Sequence, residues 1–553
     1  DPSWSPDGRW IVYSCNEGSV PVPHISVISA EGGTPIRVTT DETYRDSAPS
    51  WSPDGKWIVF ESRPGHDEDV PASLRRIAAP SSIVFSWPEW ARTARIAGAF
   101  FELEDDEADI DARLDALAAT NVSVVLADSP WGWSYSAWVD DGQFYAVRDL
   151  IVNVVQKAHA RGLRVVMYLT GLELISEDHG RNPGVEHPDW PQYSLGGQLI
   201  LFDDIGSSEE HWLEEGNWDL WVSPCSSFRQ FSLARVREIA RTGIDGLWVD
   251  TVYLQHSIGS HDDLWPSTDP CSVDAFRAAT GLSVPTIENW DDPTWRRWIV
   301  WRHWQMTDYL LALKQASREI SPGLVFFEEN WNSDACYATY YANDPAEYLP
   351  YADLGTGHEV CTIGDRVDEG QTGMQGATLD EWLAFRTMIA YARAADQGMP
   401  SWVLTYGYRP RDSAQLAGVV LAEGANFYET QGPSMAASVG EAHRAQLFGW
   451  IAEHQDVLYG AESVAEVGLV YSPRNRDLLD SGSGATYDVE DSDHFAAYRR
   501  TGRRLYRAHV PFDVVLDTDT TAFDRYAVLI LPEVQAMSEG VVASLRAFSG
   551  QLI

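Results

Sequence analysis

The chain has 553 residues, a formal charge of −42 and only three lysines, Lys56, Lys157 and Lys314, so nearly all of its basic residues are arginine. That length is several times the ~100–200 residues of one domain and predicts more than one core, one of them large enough for a barrel. The acidic excess argues against nucleic acid as a partner and fits either a salt-rich habitat or a GC-rich genome. No apolar stretch reaches the ~18 residues of a membrane span. Five cysteines, Cys15, Cys225, Cys271, Cys336 and Cys361, lack the CxxC spacing of a zinc site, and no metal or cofactor is expected.

The first elements repeat. "PSWSPDGRWIVYS" at 2–14 returns as "PSWSPDGKWIVFES" at 49–62, and 25–38 reads as two strands around the "EGG" turn at 31–33. A 47-residue period with a Pro-Asp-Gly turn between strands is the signature of propeller blades. Trp4, Pro6, Asp7 and Gly8 carry a resemblance to the TolB-like propellers. Residues 1–68 hold about one and a half blades, which cannot bury their faces singly, so the segment reads as a remnant without a function of its own. The chain opens inside this motif without an initiator methionine, which leaves a lost signal peptide open and the reading leaning to a secreted or periplasmic protein.

From about residue 94 strands and helices alternate. "RIAGAFFELE" (95–104) is an apolar strand, followed by a helix with Ile110, Leu114, Leu117 and Ala118 on one face. Then come "VSVVLAD" (122–128), a helix around 147–161, and "LRVVMYLTGLE" (163–173). A turn-rich stretch with "HPDWPQYSLGG" (187–197) leads to "LWVSP" (220–224), a helix over 229–242 and "GIDGLWVD" (243–250). Beyond lie a Trp-rich helix (292–319), "GLVFFEEN" (323–330), "YADLGTGHE" (351–359), a helix at 379–397, "PSWVLTYG" (400–407) and "ANFYE" (425–429). Such near-continuous apolar runs are parallel strands buried on both faces. About eight β/α units over 94–440 predict a (β/α)8 barrel.

A third region, 463–553, reads as a small α/β unit built on "EVGLVYS" (466–472), "FDVVLD" (512–517), "YAVLILP" (526–532) and a helix at 538–549. The chain stops inside what should be the next strand, so both ends read as cut. "VGLVYSPRN" and "YAVLILPEV" are similar to the trimerisation domain of family 42 β-galactosidases, and the resemblance implies a homo-oligomer, a trimer.

Barrel chemistry gathers at the carboxyl ends of the strands. Those ends carry Glu102 or Glu104, Asp128, Glu173, Asp250, Glu328 or Glu329, Glu359 and Glu429, ringed by Trp131, Trp133, Trp221, Trp248 and Trp331. Acids and indoles together describe a saccharide pocket, with hydroxyls held by carboxylates and rings stacked on tryptophan. Glycoside hydrolysis needs two carboxylates across one bond, and Asp250 after the fourth strand with a Glu after the fifth would supply them. Side chains alternate along a strand, so only one of Glu328 and Glu329 faces the axis, and Glu359 is the next candidate. His187, His256 and His358 lie in loops after strands and are either sugar contacts or plain surface groups. The tryptophans at 295, 298, 301 and 304 read as packing against the barrel.

The order "HPDW" (187–190), "VSPCSS" (222–227), "GIDGLWVD" (243–250), "DPCSVDAF" (269–276) and "GLSVP" (281–285) resembles the "hypothetical glycosyl hydrolase 6" group, which belongs with the α-amylase-like enzymes. That resemblance implies a nucleophile at Asp250 and an acid/base at Glu328 or Glu329. Two departures from the amylase pattern, Trp248 in place of an arginine and "LTYGYRP" without a third aspartate, argue against starch as substrate. Cys225 and Cys271 match family positions and are either a pair or, as the preferred reading, two buried thiols. The expected function is a retaining glycosidase acting on an oligosaccharide, polysaccharide or glycoside. The alternative is a catalytically inactive carbohydrate-binding or scaffold protein, since fold does not imply function.

Overall fold

The computed structural model describes residues 2–6, 8–15, 23–30, 35–39, 43–53, 55–64, 71–79, 87–177, 181–203, 216–257, 263–331, 337–348, 353–360, 378–406, 409–430, 437–480 and 493–553. At its centre eight parallel strands close a barrel: β1 (Ile96–Phe100), β2 (Val124–Asp128), β3 (Arg164–Thr170), β4 (Gly246–Asp250), β5 (Val325–Trp331), β6 (Gly355–Val360), β7 (Trp402–Thr405) and β8 (Asn426–Glu429). Each pairs with its chain neighbour and β8 returns to β1. This is the expected (β/α)8 barrel. Long helices lie between most strands: α1 (Glu107–Ala119), α2 (Asp141–Ala160), α3 (Phe228–Ala240), α4 (Pro293–Ile320), α5 (Leu379–Asp396) and α6 (Pro410–Ala422), with α7 (Ser438–Tyr459) after β8. The acidic run at 102–111 starts α1 as a capping box, in which Asp106 accepts from the backbone of Asp109 and Asp109 returns the bond.

Because strand side chains alternate, the even residues of β4 and the odd residues of β5 and β6 point to the axis. Trp248, Phe327 and Trp402 fill the interior with Ile96, Val124, Val166 and Val325. Phe327 and Trp402 stack at 4.1 Å between ring centroids. Gly357 makes room for Trp248, since a Cβ there would stand 2.2 Å from its ring. The short helix Glu89–Arg92 closes the amino end, where Trp402 Nε1 donates to the Ala91 carbonyl at 2.9 Å. The outward strand residues and the helices form the larger core, which includes Leu114, Val147, Ile151, Leu247 and Phe326.

An insertion between β3 and α3 folds as a three-stranded antiparallel sheet of Glu173–Ser176, Leu201–Phe202 and Trp218–Trp221. The "LWVSP" stretch thus belongs to this sheet and not to the barrel. Trp295, Trp298 and Trp301 are buried against Trp265, Phe276 and Tyr340, elements of the connections around β4 and β5, whereas Trp304 is half exposed. Cys225 and Cys271 form a disulfide that joins the chain just before α3 to the helix Pro270–Thr280, which corrects the expectation of two free thiols. Cys336 and Cys361 lie outside the described residues.

Ahead of the barrel, antiparallel strands between Ser3 and Ala78 form a four-stranded and a three-stranded sheet sharing one small core of Val12, Ile25, Val27, Trp51, Ile58 and Phe60. Asp7 and the turn at 31–33 lie outside the described residues. After the barrel, Val467–Tyr471, Phe512–Leu516, Val528–Ile530 and Gln551–Leu552 make a parallel sheet in the spatial order second, first, third, fourth, a doubly wound arrangement. This unit reaches into the β5–β6 connection, where the Arg476 guanidinium sits 2.6 Å from the Asp344 carboxylate with both side chains fully buried. Among the described residues no helix is long and apolar enough to cross a membrane.

Candidate active site

Four inward-facing acids stand toward the carboxyl ends of their strands above the Trp248 floor: Asp128 on β2 and, beyond β3, Asp250 on β4, Glu329 on β5 and Glu359 on β6. Asp250 accepts from the Tyr168 hydroxyl of β3 and, at 2.5 Å, from the backbone N–H of Thr251. Thr251 holds φ at 55°, a left-handed conformation that is a genuine outlier for a β-branched residue and typical of backbone constrained at a site. Its hydroxyl also receives the Gly171 N–H at 3.2 Å, so the ends of β3 and β4 are tied together. Glu329 accepts from the indole N–H of Trp248, and Glu359 accepts from the Tyr406 hydroxyl at 2.5 Å.

The electrostatics follow from burial of several acids together. Burial, reinforced by the charge of Glu359, raises the Asp250 carboxyl from 3.8 to about 6, against the lowering effect of its bonds from Tyr168 and Thr251. Glu329 is pushed well above the usual carboxylate range by burial and by the charges of Asp250 and Glu359. Burial lifts Asp128 to about 7. Glu173, on the insertion sheet, is raised well above its ordinary value by burial and then by Asp219 and Asp250. The pocket therefore holds an acid that keeps its proton near neutrality, Glu329, beside one that releases it, Asp250, the separation that acid/base chemistry uses. Among the described residues these carboxylates do not gather three ligand atoms within 4.8 Å of one another; Cys225, Asp269 and Cys271 do, but the two sulfurs are bonded to each other.

Several expected site residues stand elsewhere. Glu328 points outward, as alternation requires once Glu329 faces the axis, and is sealed at 0% exposure against Asn343, whose side-chain N–H it accepts. His358 also points outward and bonds Asp396 on α5 at 2.9 Å. Glu429 pairs with Arg444 of α7 at 2.6 Å. Glu102 and Glu104 are exposed in the turn leading to α1, where the Glu102 N–H caps onto Asp105. Trp131 is fully buried against Phe144, and Trp221 is fully buried against Tyr253 with its N–H on Asp219, so neither offers a face to a sugar. Trp248 is buried too and acts on Glu329 from below. Trp133 remains half-buried, and the Trp331 side chain lies outside the described residues. His187 stacks on Trp190 at 3.6 Å, and His256 is buried against Tyr340 and Trp265, its pKa driven down to about 3 by burial and then Arg302.

Sequence reasoning missed Tyr168 and Tyr406. Period-two alternation could have found Tyr168, two residues before the inward end of β3, but a tyrosine inside an apolar run reads as core packing.

No protein-family model matches the chain, and no curated protein matches it. Solved structures do. A β-galactosidase from Bacillus circulans sp. alkalophilus superposes with a TM-score of 0.59 at 12% identity, over 83% of this chain and 70% of that one. One from Rahnella sp. R3 gives 0.58 at 13% identity, over 83% and 70%. The α-L-fucosidase isoenzyme 2 from Paenibacillus thiaminolyticus gives 0.52 at 16% identity, over 82% and 63%. These likenesses concern the fold.

Proposed function

We propose that the protein is a retaining glycoside hydrolase with Asp250 as nucleophile and Glu329 as acid/base. One observation carries the reading: adjacent strands β4 and β5 present an inward carboxylate each, held by Tyr168 and by Trp248, in settings that separate their proton affinities. In the first step Glu329 gives its proton to the glycosidic oxygen while an Asp250 oxygen bonds the anomeric carbon, and the alcohol leaves. In the second, Glu329 takes a proton from water, which displaces Asp250 and frees the sugar. Glu359, whose charge raises both groups, keeps the proton on Glu329 between turnovers. Glycosidases among the structural neighbours support the reading at the level of fold.

In this reading residues 94–440 are the catalytic barrel, 1–68 are propeller blades, and 463–553 serve assembly, as a trimer. The Cys225–Cys271 disulfide fits an oxidising compartment outside the cytoplasm. The test is a panel of chromogenic aryl glycosides of both anomers, at low and high salt, against the protein and Asp250→Asn. Turnover by the first and none by the folded second supports the proposal. No turnover of any glycoside sinks it and leaves a carbohydrate-binding barrel.

A further inference from the structure

One acidic pair beside the pocket has no part in that chemistry. In the insertion sheet Glu173 lies opposite Trp221 and Ile175 opposite Asp219, and cross-strand partners share a face. Glu173, Asp219 and Trp221 thus project to one side, while Leu174 and Leu220 on the other enter the main core. Asp219 is fully buried, and one of its oxygens takes the Trp221 N–H at 2.8 Å. Among the described residues the other oxygen has no hydrogen-bond partner. Among the described residues neither Glu173 nor Asp219 enters an ion pair, and the charges felt most by Glu173 are those of Asp219 and Asp250.

The chain around the pair is poor in lysine and arginine. Residues 171–227 contain 12 acidic residues and one basic residue, Arg181, and Arg181 is held by Asp140 and Glu186 at 2.8 Å. Residues 251–269 add three acids and no lysine or arginine. Tyr253 supplies an aromatic wall, its ring 4.9 Å from that of Trp221. A buried carboxylate without a partner is costly, and acids plus an aromatic face are the combination that receives an ammonium group.

We infer that Glu173 and Asp219 form a subsite for a protonated amine, so that the substrates are glycosides of amino sugars, seated with the ammonium at this pair and the anomeric carbon at Asp250. The placement over Asp250 rests on the glycosidase reading; the amine subsite does not.

Calorimetric binding tests the subsite directly, with methyl glycosides of glucosamine and galactosamine, both anomers, against their N-acetyl counterparts. The free amines are expected to bind at least tenfold more tightly, and Glu173→Gln and Asp219→Asn each to remove about tenfold from the amine alone, with folding checked by circular dichroism. A general acidic field would not respond to one substitution. Equal affinity for amine and N-acetyl forms, or a preference that survives Glu173→Gln, overturns the inference. Aryl glycosides of the same sugars separate the two claims. Amine binding without cleavage of any glycoside removes the glycosidase reading and keeps the subsite, whereas cleavage of neutral glycosides with no amine preference does the reverse.

Discussion

Replacing Asp250 with Asn is expected to stabilise the protein while abolishing its chemistry. The carboxyl is raised from 3.8 to about 6, first by burial and then by Glu359. A folded-state pKa above the unfolded one means that the native state binds the proton more tightly, so this group's contribution falls as pH climbs from about 4 through 6 and stays lost above. A shift of about two units corresponds to about 3 kcal/mol at 1.36 kcal/mol per unit, and partial solvent access to the side chain reduces this to ~1–3 kcal/mol. Asparagine has nearly the same shape and carries no charge; its oxygen can accept from the Thr251 N–H while its amide N–H donates to the Tyr168 hydroxyl, which turns to accept. At ~1.4 °C per kcal/mol for a barrel of this size, scanning calorimetry at pH 8 should place the variant about 1–4 °C above the parent, and the gap should close below pH 4. A lower melting temperature at pH 8 would refute the reasoning, because it would mean that Asp250 is a stabilising strand-end carboxylate rather than a strained functional one.

Glu329→Gln should lower kcat/KM by at least ~10² by removing the proton donor, whereas Glu328→Gln, sealed behind Asn343, should keep activity within about threefold; equal losses would show that alternation has been misassigned. Arg476→Ala leaves Asp344 buried without its partner and should cost about 3–5 kcal/mol, read as a lowered urea midpoint of the barrel; no change would mean that the C-terminal unit does not support the β5–β6 connection. Potassium chloride should raise the melting temperature by screening the −42 charge over a Debye length of ~10 Å at 0.1 M; a flat trend leaves genome composition as the origin of the acidity.

The barrel was legible because its strands are buried on both faces and so read as uninterrupted apolar runs, Val124–Asp128 and Gly246–Asp250 among them. Asp250 was legible as an acid that ends such a run. The choice between Glu328 and Glu329 was not, since alternation gives a period and not a phase. The phase is set by Trp248 filling the space that Gly357 leaves, a contact across three strands. Tryptophans mislead for a related reason: Trp131 follows the end of β2 and Trp221 ends an insertion strand, yet the helix and sheet built around them bury both. The disulfide escaped because 46 residues separate Cys225 from Cys271, and only the fold of the insertion brings them together.

The most direct test of the proposed chemistry is covalent trapping. Incubation with 5-fluoroglycosyl fluorides of both anomeric series, which leave the C2 substituent free, followed by peptide mass spectrometry, should add one glycosyl unit to the peptide carrying Asp250 and none to Asp250→Asn. Labelling of Glu329 or Glu359 instead, or of no residue under conditions where aryl glycosides are cleaved, would contradict Asp250 as the nucleophile.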